Sequence, residues 1–392
     1  MKGKIKNLLW VGLLAVAVFT AVTLISCKPK EAAEEAKVPE AAKFKIGIAF
    51  DVGGRGDKSF NDSAYAGLVH LAKDFKGYIA GDPDNVDFGK EIELKYLEPK
   101  SGGQDREQLL RILAEDGYNL VIGVGFMYSD ALGKVAKDFP NVHFGIIDGW
   151  LPDLNASSNI TCLGFTEHEG SFLVGAIAGL KSKELGGKLG FIGGMDMPLI
   201  HKFHAGFYAG AMYVNPKMRE EGMLLGQYCG KDGSAFNDPK TGESIAINMY
   251  NQGATIIYHA AGGSGNGLFK AAKDMNKIAI GVDSDQGYGY ATGDNEEEKA
   301  MAEHILTSML KRVDNAVYLT GKEMINNSKV VGGYTTFNLP VEGVGYALNE
   351  FNKDKLADVK AEVDKLKQKI ISGEITVPDH DSQLPDWMAK TF

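Results

Sequence analysis

Two aspartates stand at the carboxyl ends of apolar runs, Asp51 after Phe44–Phe50 and Asp283 after Ile278–Val282. A carboxylate so placed accepts hydrogen bonds from the donors of a bound molecule, and it equally serves to cap the turn or helix that follows. Phe60 and Asn61 close the segment Asp51-Val-Gly-Gly-Arg-Gly-Asp57-Lys-Ser59, where a phenylalanine offers a flat face for stacking a planar ring. Its competing reading is core, because Ala64, Leu68, Leu71 and Phe75 share a helical face with it. Ser59 followed by Asp62 is a capping pattern that puts Phe60 at the helix start, beside the strand edge. Gly262-Gly263-Ser264-Gly265-Asn266-Gly267 lies between an apolar run and a helical one, the place of a phosphate loop. It lacks a Gly-Lys-Ser/Thr ending and a dinucleotide fingerprint, so close backbone approach to an uncharged ligand is the expectation.

Other clusters carry less chemistry. His201 and His204, with Asp196 nearby, have the spacing of one helix face, and no Cys or further His stands at ligand spacing. They read as surface or core histidines, and no metal or cofactor is expected. Arg55-Gly56-Asp57 spells an adhesion tripeptide, a match short enough to arise by chance. Ser129-Asp130 and the scattered serines form no nucleophile elbow, so enzyme chemistry has no anchor and no catalytic residue is assigned. Lys311, among Leu306, Met309, Leu310 and Val313, reads as a solvated lysine on a helix.

The elements that must position these residues alternate between two periods. Strand candidates are Phe44–Phe50, Ile92–Leu97, Leu120–Val124, Val142–Ile147, Ile160–Phe165, Leu189–Ile192, Met223–Gln227, Ala254–His259 and Ile278–Val282. Helical segments such as Ala64–Phe75, Glu107–Asp116, Phe172–Lys181 and Ala205–Val214 lie between most of them. That order is the signature of βαβ units and parallel sheets covered on both faces, and this number of strands suits two sheets better than one. Ligands of open α/β sheets bind outside the carboxyl ends of the strands, and the glycine, aromatic and acidic turns fall there, including Gly123-Val-Gly-Phe126 and Asp130. They describe one shared cleft.

At these turns the sequence resembles the basic membrane lipoprotein family, purine-nucleoside receptors of ABC importers. The resembling blocks are Asp51 to Asn61, Gly123-Val-Gly-Phe126 with Asp130-Ala-Leu, Phe144-Gly-Ile-Ile-Asp148-Gly, Gly233-Ser-Ala-Phe236-Asn-Asp238, Ala260 to Gly265, Gly281-Val-Asp283-Ser-Asp285-Gln286 and Thr307-Ser-Met-Leu-Lys311-Arg312. The match runs from about Lys45 to about Tyr346. The resemblance implies an α/β type I periplasmic-binding-protein fold, two doubly wound parallel-sheet lobes joined by a hinge. Lobe 1 would comprise 44–163 plus 284–325, and lobe 2 164–283 plus 326–392. It also implies that Phe60 and Phe236 stack on a purine base, that Asp51 and Asn61 face the base edge, and that Asp283 accepts from ribose hydroxyls with Lys311 and the backbone around Gly263 nearby. Phe126 and Asp130 join this ligand set through their block. A nucleoside ligand, an importer permease and a monomeric receptor are the implied partners. Phe126-Met127-Tyr128 is richer in aromatic and sulfur groups than a minimal pocket needs, and the inserted Tyr78–Gly89 has no assigned role. A sugar or other small polar solute is the alternative ligand, and a surface adhesin or a nucleoside hydrolase are the alternative classes.

The amino terminus fits an extracytoplasmic role. Lys2, Lys4 and Lys6 precede an apolar run from Leu8 to Ile25, and Leu24-Ile-Ser-Cys27 has the form of a lipobox. Residues 1–26 thus read as a lipoprotein signal peptide, Cys27 as the lipidated amino terminus, and 27–43, rich in Ala, Glu, Lys and Pro, as a flexible tether. A membrane then holds the chain through the lipid alone. Cys162 and Cys229 read as buried thiols rather than a disulfide. A net charge of -9 without a basic stripe argues against nucleic acid as a polymeric partner. With 44% hydrophobic and 24% charged residues the remainder has the composition of a folded, core-forming chain.

Overall fold

The computed structural model describes residues 42–392, so the expected signal peptide, Cys27 and nearly all of the tether lie outside the described residues. Strands β4 (Leu120–Val124) and β5 (His143–Ile147) are buried at every position. A strand that is apolar on both faces needs cover on both, which a parallel sheet between helical layers supplies. These two sit in a seven-stranded, wholly parallel sheet with β1 (Phe44–Ala49), β2 (Gly77–Ile79), β3 (Ile92–Leu97), β6 (Ile160–Phe165) and β12 (Gly333–Phe337), in the order β12-β6-β5-β4-β1-β3-β2. A second sheet holds β7 (Lys188–Met195), β8 (Leu224–Gly230), β9 (Ala254–Ala260), β10 (Ile278–Asp283), β11 (Ile305–Lys311) and β13 (Val344–Tyr346), in the order β13-β11-β10-β9-β7-β8. Only the edge strand β13 runs antiparallel to its neighbour.

Each sheet with its helices is one lobe, and the chain passes between lobes three times. It leaves the first sheet after Phe165, returns after Lys311, and leaves again after Phe337. Neighbouring backbones meet at these crossings: Thr166 N–H donates to the Phe337 carbonyl and Arg312 N–H to that of Gly343. The Phe165 and Phe337 rings stack there at 5.2 Å.

Helix Glu167–Leu185 crosses into the second lobe and packs on helix Pro198–Val214. Glycine sets their separation. A Cβ on Gly175 would stand 2.1 Å from the Phe207 carbonyl oxygen, and one on Gly210 2.0 Å from that of Phe172. Larger residues would force the helices apart and open the interior they share with Leu173, Phe203 and Phe207. No helix among the described residues is long and apolar enough to cross a membrane.

All nine expected strands are present, with four more. The largest correction is β11, because the stretch containing Leu306, Met309, Leu310 and Lys311 is a buried strand and not a helix. A short apolar run buried on both faces has no period that separates the two states. The expected lobe boundaries change with it. Residues 284–312 stay with the second sheet, helix Val313–Asn327 returns to pack on helix Phe60–Asp74, and β12 inside 326–392 belongs to the first sheet. Cys162 and Cys229 are both free thiols, Cys162 in the first sheet and Cys229 in the second.

Candidate ligand-binding site

The carboxyl ends of β1, β4 and β5 in one lobe and of β9, β10 and β11 in the other enclose a cavity of about 660 Å³, part of it open to solvent. Asp51, Phe60, Asn61, Phe126, Phe236, Asp283 and Lys311 line it, so residues spread over 260 positions meet in one space. Two expected members do not. Asp130 lies exposed in the first turn of helix Ser129–Asp138, on a separate depression beside Trp150 and Leu151, because the three residues of Phe126–Tyr128 form their own turn and carry it past the edge. Gly263 sits behind the wall, which Ala260 and Gly262 make.

Asp51 is held within its own lobe. Arg106 Nη2 donates to its Oδ1 at 2.5 Å and Val52 N–H donates to the same atom at 2.7 Å. Gly125, at φ +112°, lets the chain pass: a Cβ there would be 2.4 Å from Asp51 Oδ2. Burial pushes the Asp51 carboxyl up from its ordinary range, and Arg106 pulls against that. Asn61 is fully engaged, accepting from Asp51 N–H and donating to Asp57 Oδ2.

The helix start at Phe60 is capped differently from the expected pattern. Asp57 accepts from the N–H groups of Ser59, Asn61 and Asp62, doing the capping itself, while Asp62 accepts from Gly56 and Lys58. Burial, aided by Asp62, pushes the Asp57 carboxyl up to about 7. Ser59 is thereby free to donate its hydroxyl to Asp283 Oδ2 on the facing lobe. Arg55, next along, is held by Asp82, Asp84 and the Tyr65 ring, 3.6 Å from its guanidinium carbon. The inserted Tyr78–Gly89 segment therefore serves to hold Arg55, and the Arg-Gly-Asp tripeptide is locked at both ends.

Asp283 takes φ +64° at the end of β10 and does not cap a helix, a task left to Asp285. Lys311 ends β11 with its ammonium 2.5 Å from Asp148 Oδ2 and 3.0 Å from Glu167 Oε1. The Phe60, Phe165 and Phe203 rings surround it at 5.0–5.4 Å. Burial alone would lower the Lys311 ammonium, but Asp148, Glu167 and Asp283 outweigh it and hold the group charged. Burial in turn pushes Asp148 up to about 6 against the attraction of Lys311, while Lys311 and Lys202 overcome burial to keep Glu167 below the usual range.

The match to the model of the Bmp family, described as ABC transporter substrate-binding protein, PnrA-like, covers residues 44–381. The chain belongs to this family. It is 36% identical over 315 residues to an uncharacterized lipoprotein of Pyrococcus furiosus, spanning 78% of this chain and 71% of that one. It is 31% identical over 381 residues to the ABC transporter nucleoside-binding protein BmpA of Lactococcus lactis, spanning 93% and 97%. Among solved structures, an ABC transporter solute-binding protein of Aeropyrum pernix superposes with a TM-score of 0.71 at 28% identity, over 89% of this chain and 97% of that one. The two lobes are those of the type I periplasmic-binding-protein fold, and the protein is an ABC transporter substrate-binding protein.

The cavity of this Bmp-family protein contains residues that sequence reasoning did not place there. Asp148 directly follows β5, much as Asp51 follows β1 and Asp283 ends β10, a signal that was available. Ile200 and Phe203 come from a helix side and carried none. Of the Phe126-Met127-Tyr128 trio, Phe126 and Met127 line the cavity, whereas Tyr128 is core, its hydroxyl donating to the Phe50 carbonyl. Phe126 and Phe236 meet edge-to-face at 6.5 Å from opposite lobes. The charged lining consists of four carboxylates, Asp51, Asp57, Asp148 and Asp283, and one ammonium, Lys311. Such a lining attracts donors and repels phosphate.

Proposed function

We propose that this protein captures a nucleoside between its lobes and delivers it, as a monomer, to the permease of an ABC importer, held outside the cytoplasm by a lipid on Cys27. The observation that carries the reading is the pairing of aromatic faces with acceptors in one cavity. Phe60, Phe126 and Phe236 offer π-faces, and Asp283 offers a buried carboxylate beside Lys311. Base stacking contributes roughly 1–3 kcal/mol per ring, and a carboxylate holds neighbouring hydroxyls by charge-assisted bonds. The acidic lining favours a nucleoside over a nucleotide. The lipobox at Cys27 and the relative named as a lipoprotein support the anchor, and the relative named as nucleoside-binding supports the ligand.

Isothermal titration of the parent and of single variants tests the assignment. Asp283→Ala is expected to lose roughly 2–4 kcal/mol for a ribonucleoside, about 30- to 1000-fold in affinity, because hydroxyl donors are left unpaired in a closed cavity. A 2′,3′-dideoxynucleoside is expected to bind the parent weakly and to lose little more in the variant. Phe60→Ala is expected to cost about 1–3 kcal/mol for every base alike. Equal losses for both ligands in Asp283→Ala would overturn the ribose contact, and tight binding of a sugar with no nucleoside bound would replace the reading.

A further inference from the structure

Away from the cavity, three histidines and two aspartates gather where the C-terminal segment lies on helix Pro198–Val214. His201 and His204 turn their Nδ1 atoms to one oxygen of Asp381, at 2.5 and 2.8 Å. The Tyr228 hydroxyl approaches the same two nitrogens at 3.4 and 3.2 Å. The Nδ1 atoms and the carboxylate oxygen all lie within 4.8 Å of one another. Bonds of roughly 2.0–2.2 Å to a tetrahedral zinc put its ligands about 3.3 Å apart, the spacing that Tyr228 already keeps to both rings. Asp381 would have to recede by less than an ångström.

We propose that His201, His204 and Asp381 bind a divalent transition-metal ion of the zinc class, with a water beside Tyr228 completing the tetrahedron. Two imidazoles with one carboxylate are a donor set that suits zinc. The surroundings of His201 are those of a metal ligand, whereas His204 Nε2 is buried without a hydrogen-bond partner. His201 Nε2 lies 2.8 Å from Asp196 Oδ1, so it donates there and leaves Nδ1 for the ion. His204 is fixed by stacking on Phe191 at 4.5 Å and 13°, and His380 stacks on His201 at 4.6 Å. Asp381 Oδ1 is buried without a hydrogen-bond partner, a second oxygen that a cation would satisfy.

The ion has a structural consequence. Leu199, Ile200 and Phe203, which line the ligand cavity, alternate with His201 and His204 along the same helix. An ion joining that helix to Asp381 clamps the C-terminal segment behind the cavity wall, independently of which solute the cavity takes.

Tag-free protein stripped with chelator and titrated with zinc sulfate tests this. One zinc per chain is expected, a rise in the thermal midpoint with zinc, and with cobalt the visible absorption of a tetrahedral centre. Asp381→Asn and His201→Gln are expected to abolish stoichiometric uptake while circular dichroism stays that of the parent. Asp196→Asn is expected to weaken it by about 10- to 100-fold. Absence of uptake by the parent, or uptake unchanged in Asp381→Asn and His201→Gln, overturns the site.

Discussion

The two ends of the cavity hold their carboxylates in opposite ways. Asp51 is bonded by Arg106 and Val52, both from its own lobe, with Asn61 alongside. Asp283 receives its hydrogen bond from Ser59 on the other lobe, and the neighbouring Lys311 ammonium is paired to Asp148 of the first lobe and to Glu167 at a crossing. The Asp51 end is therefore assembled whenever its lobe is folded, whereas the Asp283 end is complete only with the lobes together. On the proposed binding mode Asp51 belongs to a preorganised wall and Asp283 to a wall complete only with the lobes together, and ligand held by both would favour the closed population.

Four experiments press on that contrast. The largest effect is expected for Lys311→Met, which leaves Asp148 and Glu167 buried without their shared cation and should cost about 3–5 kcal/mol in urea unfolding. Arg106→Met strands the single carboxylate of Asp51 and should cost about 1–3 kcal/mol. Equal costs would erase the distinction between the two ends. A pH series asks whether the lobes also differ away from the cavity. Burial holds His143 in the first sheet and His259 in the second down at about 4, below the 6.5 of the free ring. Their contribution is whole above pH 6.5 and is lost as pH falls toward 4, about 2 kcal/mol each by pH 5. Asp57 and Asp148, raised to about 7 and about 6, take up protons in the folded state over the same range and oppose that loss. The histidine contribution is therefore read by difference: between pH 7 and 5, His143→Gln and His259→Gln should each forfeit about 2 kcal/mol less than the parent. A defect in only one variant would mean that one lobe tolerates a buried imidazolium.

The smallest effect concerns the rim. Lys58 crosses the lobes to Glu298 at 2.6 Å and lies 4.4 Å from the Tyr290 ring, both partly solvated contacts. Lys58→Ala should lower ligand affinity by no more than about 5-fold, from a bias of roughly 0–1 kcal/mol toward closure, and added salt should shrink the difference. A larger loss would place closure energy at the rim instead of at Asp283.

The order of strands and helices, and with it the two-sheet architecture, is written locally in the sequence. Runs such as Leu120–Val124, short and alternating with helical segments, fit covered parallel strands, and acidic or aromatic residues directly after such runs fall at one sheet edge. That logic brought Asp51, Phe60 and Asp283 to one cavity. It failed at β11, where a strand buried on both faces carries no distinguishing period and Lys311 looked solvated instead of buried and paired to Asp148 and Glu167. It failed at Asp130, where a three-residue turn of the backbone moved the side chain off the edge. The sequence alone determined which residues end the nine strands it marked; the tertiary structure alone decided which strand ends face one another. His201 and His204 lacked a third ligand at any local spacing, and Asp381 arrives beside them from 177 positions beyond His204 because the chain's last segment packs back onto their helix. Contacts of that separation depend on the docking of whole elements, which no local pattern of residues encodes.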